Sequence, residues 1–288
     1  MFDKVKIIEC PRDAMQSIKT FIPTLTKLSY LQTVVDVGFD VVDIGSFVSA
    51  KAIPQLSDSS IIIDSIDLSK SISKLLVIVA NKKGALKASE FDKVSYLGYP
   101  FSISENFQMR NTNKTINDSE NELKEIISIA NSSNKKVVVY LSMCFGNPYG
   151  DPWNLNIVNH WIDKLSQMGV EIISLSDTIG TSNSDSISSI FSSVLDNYKH
   201  IEFGAHLHSD PNTWHEKMQS AYEAGCRRFD GAIKGFGGCP MASDELVGNM
   251  PTEKIISFLN ANKISNNVNP IRFESCYNQS LELFNKYH

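Results

Sequence analysis

Cysteine is scarce in this chain and follows no pairing pattern. Five occur in 288 residues, at 10, 144, 226, 239 and 276, an odd count with no Cys-x-x-Cys spacing. That argues against a disulfide framework and against a thiolate zinc site. Basic excess is also missing. The net charge of -5 gives no electrostatic reason to expect nucleic acid as a partner. No apolar run approaches the roughly 20 residues that a membrane helix needs. The chain passes at once into a strand-like segment, Val5–Cys10, so no secretory leader is expected. A reducing, cytoplasmic setting is therefore expected. The Gly-x-Gly-x-x-Gly turn of a dinucleotide-binding sheet is absent too: Cys10-Pro11-Arg12-Asp13 follows the first strand instead.

What is present is a regular alternation. With 42% hydrophobic and 20% charged residues, the chain can bury an ample core. Strand-length apolar runs lie at Val5–Cys10, Val41–Gly45, Leu75–Ala80, Val94–Phe101, Val137–Met143, Val170–Leu175, Ile201–His208 and Cys226–Gly231. Segments of helical period separate them, such as Leu28, Leu31, Val34 and Val35, or Ile157, Trp161, Leu165 and Met168. Asp151-Pro152-Trp153 reads as an N-cap with proline at the first helical position. Lys135-Lys136 reads as a solvated helix end. Eight β-then-α units predict an α/β protein, a (β/α)8 TIM barrel with a C-terminal helical extension. We expect residues 1–288 to form a single catalytic domain, with about 265–288 as the C-terminal helical segment.

A barrel places its chemistry at the carboxyl ends of its strands. Arg12 and Asp13 stand at the end of strand one, Asp43 and Ser46 on strand two, Asp177 after strand six, and His206-Leu207-His208 on strand seven. Alternate strand residues share a face, so both imidazoles project together into the barrel. Beside a carboxylate such as Asp13 they could bind a divalent metal. They could equally be hydrogen-bonded interior histidines. Arg12 could stabilise an enolate or clamp a carboxylate, or it could close the barrel by a salt bridge to Glu9 or Asp43. Gly235-Phe236-Gly237-Gly238-Cys239-Pro240 follows strand eight, and a thiol on that rim could move a proton. Asn249 could give a carbonyl oxygen to a metal or cap the next helix. Ser46 could touch substrate or form a turn, and Asp177 could orient a histidine or cap a helix. The other four cysteines read as packing residues.

Taken together, Pro11-Arg12-Asp13 with Gln16, Ser46-Phe47-Val48-Ser49, Ile173 to Gly180, His206-Leu207-His208, the Gly-Gly-Cys-Pro run and Gly248-Asn249 resemble the 3-hydroxy-3-methylglutaryl-CoA lyase family. The pieces occur in family order across nearly the whole chain. The resemblance implies retro-Claisen cleavage of an acyl-CoA, with one Mg2+ or Mn2+ and no organic cofactor. It implies Asp13, His206, His208 and Asn249 as metal ligands, Arg12 as enolate stabiliser and Cys239 in proton transfer. Asp43 stands at the position of a family glutamate, and Asp177 joins the catalytic set. Gln16, Ser46, Tyr140 and Ser174 are expected to contact the substrate. The expected partner is a small-molecule acyl-CoA, with neither nucleic acid nor membrane, and a homodimer is left open. A related 3-hydroxyacyl-CoA lyase and an acetyl-CoA-dependent condensing barrel are the alternatives, with a non-catalytic ligand-binding barrel behind them. The lyase pattern is altered in places. Ala14-Met15-Gln16-Ser17-Ile18 replaces the usual run after Arg-Asp, and Ser176 stands where the family has glycine.

Overall fold

The computed structural model describes residues 4–238 and 247–287. Eight parallel strands close in chain order into a barrel: β1 Lys6–Glu9, β2 Val41–Ser46, β3 Lys74–Ile78, β4 Val94–Ser102, β5 Lys136–Ser142, β6 Ile172–Asp177, β7 Glu202–Leu207 and β8 Arg228–Gly231. Closure is made by β1 on β8, in register from Lys6 opposite Arg228 to Glu9 opposite Gly231. The strands are covered on both faces, so they read as nearly continuous apolar runs. One side packs under the helices in the large core. The other side forms a compact interior cluster that includes Ile8, Val41, Leu76, Val138, Tyr140 and Ile172. Phe203, Ala205 and Leu207 of β7 belong to the outer layer, which leaves Gly204 and His206 facing inward. Gly204 is required where it stands: a Cβ there would lie 2.9 Å from Cδ of Arg228, which crosses the interior beside it.

The helices are α1 Pro11–Gln16, α2 Thr24–Val37, α3 Ser59–Ser65, α4 Lys82–Ser89, α5 Glu105–Thr112, α6 Ile116–Ser132, α7 Leu155–Gln167, α8 Ser184–Asn197, α9 Trp214–Glu223, α10 Thr252–Ala261 and α11 Pro270–Tyr287. The C-terminal helix α11 lies on α2, where Phe284 meets Tyr30 edge-on at 6.1 Å and Thr33 donates to Gln279 Oε1 at 2.6 Å.

Three local expectations are corrected, and one helix is added. Arg12 and Asp13 do not extend β1. They lie in α1, which proline starts at the first helical position. Helix α7 begins beyond Asp151-Pro152-Trp153, and its cap is Asn154, which accepts from Ile157 N. Asp151 instead accepts from Ser104 and Asn106, tying the loop after β4 to the loop after β5. Lys135 is not a solvated helix end. It is buried and donates to the carbonyls of Phe91 and Val94, while Lys136 opens β5 and pairs with Glu171. Helix α5 has no counterpart in the periodic reading, because few of its residues are apolar. It is fixed by the Ser104 cap and by Phe107, which is buried.

Candidate active site

A cavity of about 410 Å3 opens at the carboxyl ends of the strands. Arg12, Asp13, Gln16, Tyr140, His206 and His208 all line it. The short helix α1 turns Arg12 and Asp13 back over the barrel mouth, both nearly enclosed. Arg12 is gripped from two sides. Its Nε and Nη2 donate to Asp43 Oδ2 at 2.9 and 2.6 Å. Its Nη1 donates to Asp13 Oδ1 at 3.0 Å and to Gln16 Oε1 at 2.7 Å. Gln16 Nε2 in turn donates to Asp13 Oδ1 at 2.7 Å. The salt bridge to Asp43 is therefore real, and it is compatible with a chemical role because Arg12 still reaches the cavity. Glu9 takes no part in it.

Asn249 completes this corner. It does not cap α10, which begins at Thr252. It pairs with His208 in a backbone bridge, and Nδ2 donates to Asp13 Oδ2 at 2.7 Å and to the Phe236 carbonyl at 2.9 Å. Gly237 lets the backbone come this close. At φ +99° it occupies the left-handed region, and a Cβ would lie 2.7 Å from Asn249 Nδ2 and 3.0 Å from the Asp13 carbonyl oxygen. The imidazole of His206 on β7 and that of His208 just beyond the strand sit together, ring centroids 5.5 Å apart, with Tyr140 nearly at right angles to His206.

The charges are set by the surroundings. Burial pushes the Asp13 carboxyl up, but Arg12, both histidines and the Asn249 bond outweigh it and hold the group below its ordinary range. Burial raises Asp43 to about 6 despite Arg12. Burial and the neighbouring His206 pull the His208 imidazole down to about 4, so it is neutral at pH 7 and offers a lone pair. Burial also works against charging His206, yet the hydrogen bond to Asp230 and that carboxylate's charge leave it above the usual value.

Asp43 and Asn249 stand behind Arg12 and Asp13 without lining the cavity, and three further expected groups also lie away from it. Ser46 is consumed by a turn, donating to Ile78 O at 3.3 Å and accepting from Val48 N at 3.2 Å. Ser174 lies deeper in β6 and donates to Asp230 Oδ2 at 3.0 Å. Asp177 is buried behind the wall. It accepts from Ser182 and from Lys217 of α9, at 2.7 Å for the lysine, and Lys217 also donates to the His208 carbonyl at 2.8 Å. Asp177 thus meets His208 only through a lysine and its backbone. Cys239 lies outside the described residues.

Asp230 of β8 is the group that sequence reading missed. Its signal was present, a carboxylate in Arg228-Phe229-Asp230-Gly231 with the inward parity of the strand. Cys10, read as packing, also faces this interior. Ligand atoms of Cys10, His206 and Asp230 lie within 4.8 Å of one another.

A (β/α)8 barrel that brings an arginine, a carboxylate and two imidazoles to one cavity at its strand ends, with an asparagine bonded to that carboxylate, has the layout of a barrel enzyme. The chain belongs to the HMGL-like family, whose model matches residues 4–278. It is 31% identical over 266 residues to hydroxymethylglutaryl-CoA lyase YngG of Bacillus subtilis, covering 92% of this chain and 88% of that one. It is 30% identical over 259 residues to the cytoplasmic 3-hydroxy-3-methylglutaryl-CoA lyase of Rattus norvegicus, covering 89% and 74%. Among solved structures, an HMG-CoA lyase from Bacillus subtilis superimposes with a TM-score of 0.91 at 28% identity, over 98% of this chain and 94% of that one. One from Acinetobacter baumannii, in complex with coenzyme A and 3-methylmalate, gives 0.90 at 27% identity, over 98% and 92%.

Proposed function

We propose that the protein cleaves 3-hydroxy-3-methylglutaryl-CoA to acetoacetate and acetyl-CoA. The observation that carries this is the convergence of Arg12, Asp13, His206, His208 and Asn249 at one end of the barrel, in a chain of this family. The donor set fits a hard divalent ion. Asn249 commits its Nδ2 to Asp13 and Phe236, and no hydrogen bond among the described residues engages its Oδ1. His208 Nδ1 is buried without a hydrogen-bond partner, and Asp13 is kept ionised. Asp13, His206, His208 and Asn249 would hold the ion, and carboxylate, carbonyl and imidazole donors suit Mg2+ or Mn2+. When bound, such an ion orients the hydroxyl and carboxylate of the substrate and acidifies that hydroxyl.

The chain's own groups do the rest. Loss of the tertiary hydroxyl proton lets the bond between the second and third carbons break. The third carbon becomes the ketone of acetoacetate, and the electron pair passes to the thioester as an enolate. Arg12, fixed by Asp43 and Gln16, presents a guanidinium to that developing charge. Cys239, placed by the sequence just after Gly237 and Gly238, is the group proposed to return a proton to the enolate carbon. Ser142 on the cavity wall favours a second reading, a related 3-hydroxyacyl-CoA with an additional polar group, whereas the hydroxyls of Ser176 and Thr178 beside it are bonded to the Ser174 carbonyl and to Met143 N.

The test is incubation of the purified protein with each CoA thioester and Mg2+ or Mn2+, with products followed by mass spectrometry. Acetyl-CoA and acetoacetate in equal amounts are expected from 3-hydroxy-3-methylglutaryl-CoA. Their absence with every metal tried sinks the proposal. In Cys239→Ser, turnover should fall by roughly 10²–10⁴ with metal affinity kept. Near-normal turnover makes Cys239 a bystander.

A further inference from the structure

A histidine has two ring nitrogens, and which of them carries the proton decides what it can bind. For His206 the answer lies beneath the cavity floor. Its Nδ1 is 3.2 Å from Asp230 Oδ2. Asp230 projects inward from β8, opposite Ile8 of β1, and its side chain is wholly enclosed. The same oxygen accepts the Ser174 hydroxyl at 3.0 Å. Asp230 does not line the cavity and makes no surface ion pair. Its other oxygen is buried with no hydrogen-bond partner. The enclosed guanidinium of Arg228, two residues earlier on the same inward face, feels the charge of Asp230. Within hydrogen-bond distance of that one oxygen lie His206 and the Ser174 hydroxyl.

We propose that Asp230, braced by Ser174, is the positioning residue that holds His206 as the Nδ1–H tautomer and so keeps Nε2 as its lone-pair nitrogen. An ionised carboxylate only accepts hydrogen bonds, so the nitrogen facing it must carry the hydrogen. The nitrogen on the far edge of the ring is then unprotonated and free to ligate. Tyr140, packed at right angles against the ring, limits its rotation. This inference rests on the metal-dependent reading of the site. It adds a residue that touches neither substrate nor ion.

Nitrogen-15 NMR of the full-length, metal-free protein tests it, at a pH where the rings are neutral. His206 is assigned by its loss in His206→Gln. The wild type should show a protonated Nδ1 and a bare Nε2. Asp230→Ala should move the ring toward the Nε2–H form and weaken Mn2+ binding by roughly 10–100-fold, the usual effect of losing such a partner. Asp230→Asn keeps the shape and provides the same two readouts if the alanine variant does not fold. Its amide can donate to Nδ1, which again displaces the proton to Nε2. A wild-type ring already in the Nε2–H form overturns the proposal. So does Asp230→Asn with the wild-type tautomer and unchanged Mn2+ affinity. If the wild type binds no Mn2+ at all, the metal reading fails, and the tautomer spectra still decide the role of Asp230.

Discussion

Arg12 shows why a single side chain can be both structural and chemical. It is nearly enclosed between Asp43, which is wholly buried, and Asp13. Removing it takes a charge from the cavity and also strands two buried carboxylates. Arg12→Met should therefore lower turnover by about 100-fold or more, as for the loss of one oxyanion donor. It should also lose on the order of 3 kcal/mol of stability, the usual cost of orphaning a buried ion. The double variant Arg12→Met/Asp43→Asn separates the two. Stability should return in large part, and turnover should stay low. If turnover returns along with stability in thermal melts and steady-state kinetics, Arg12 is only a strut. At this scale the sequence was informative where chemistry follows residue type. Arg12, Asp13, His206 and His208 come together on one cavity, although helix α1 and not the end of β1 carries the first two. It was poor where a side chain's depth decides. Ser46 and Ser174 have hydroxyls suited to substrate, but a turn and a buried aspartate claim them first.

At the scale of elements, α9 is more than a covering helix. Its Lys217 is buried, and Nζ donates to Asp177 Oδ2 at the end of β6, to the Gly180 carbonyl in the following turn, and to the His208 carbonyl beyond β7. One ammonium thus sets the spacing between two strand ends, and one of them carries a proposed metal ligand. Lys217→Met should lower the melting temperature, because Asp177 is left buried and uncompensated. It should also weaken Mn2+ binding about tenfold through the loosened His208, although Lys217 touches no ligand atom. Calorimetric titration of the folded variant checks this, and unchanged affinity would confine Lys217 to stability. The strands themselves were legible because a parallel strand covered on both faces leaves an unbroken apolar run. The polar helix α5 and the early turn of α1 were not, since caps and long-range contacts fix them. Lys217 gave no signal at all. A lone lysine in an amphipathic segment looks solvated until the neighbouring strand ends are in place.

The whole molecule depends on closing the ring, and Glu9 sits at that seam. It is the last residue of β1, fully buried, opposite Gly231 of β8. Its two oxygens accept from Ile233 N at 3.0 Å and from the Thr252 hydroxyl at 2.5 Å, so it joins the first strand to the segment after the last strand and to α10. Burial raises its carboxyl to about 8 against these two hydrogen bonds, with the charge of Glu253 adding to the rise. The folded chain therefore holds this proton more tightly than the unfolded chain does. Between the ordinary glutamate value and about 8, the unfolded state ionises first and gains by it, so this group's contribution to stability falls as pH rises. By pH 7 the loss is on the order of 3 kcal/mol. Glu9→Gln removes the titration and keeps the bonds, because the amide oxygen can accept from Ile233 and the amide nitrogen can donate to the Thr252 hydroxyl. Thermal melts of both proteins from pH 5 to pH 8.5 should show the variant gaining steadily on the wild type, with the gap levelling off above about pH 8. A gap that is constant across that range would mean that Glu9 closes the barrel already ionised, and that the seam tolerates a buried charge.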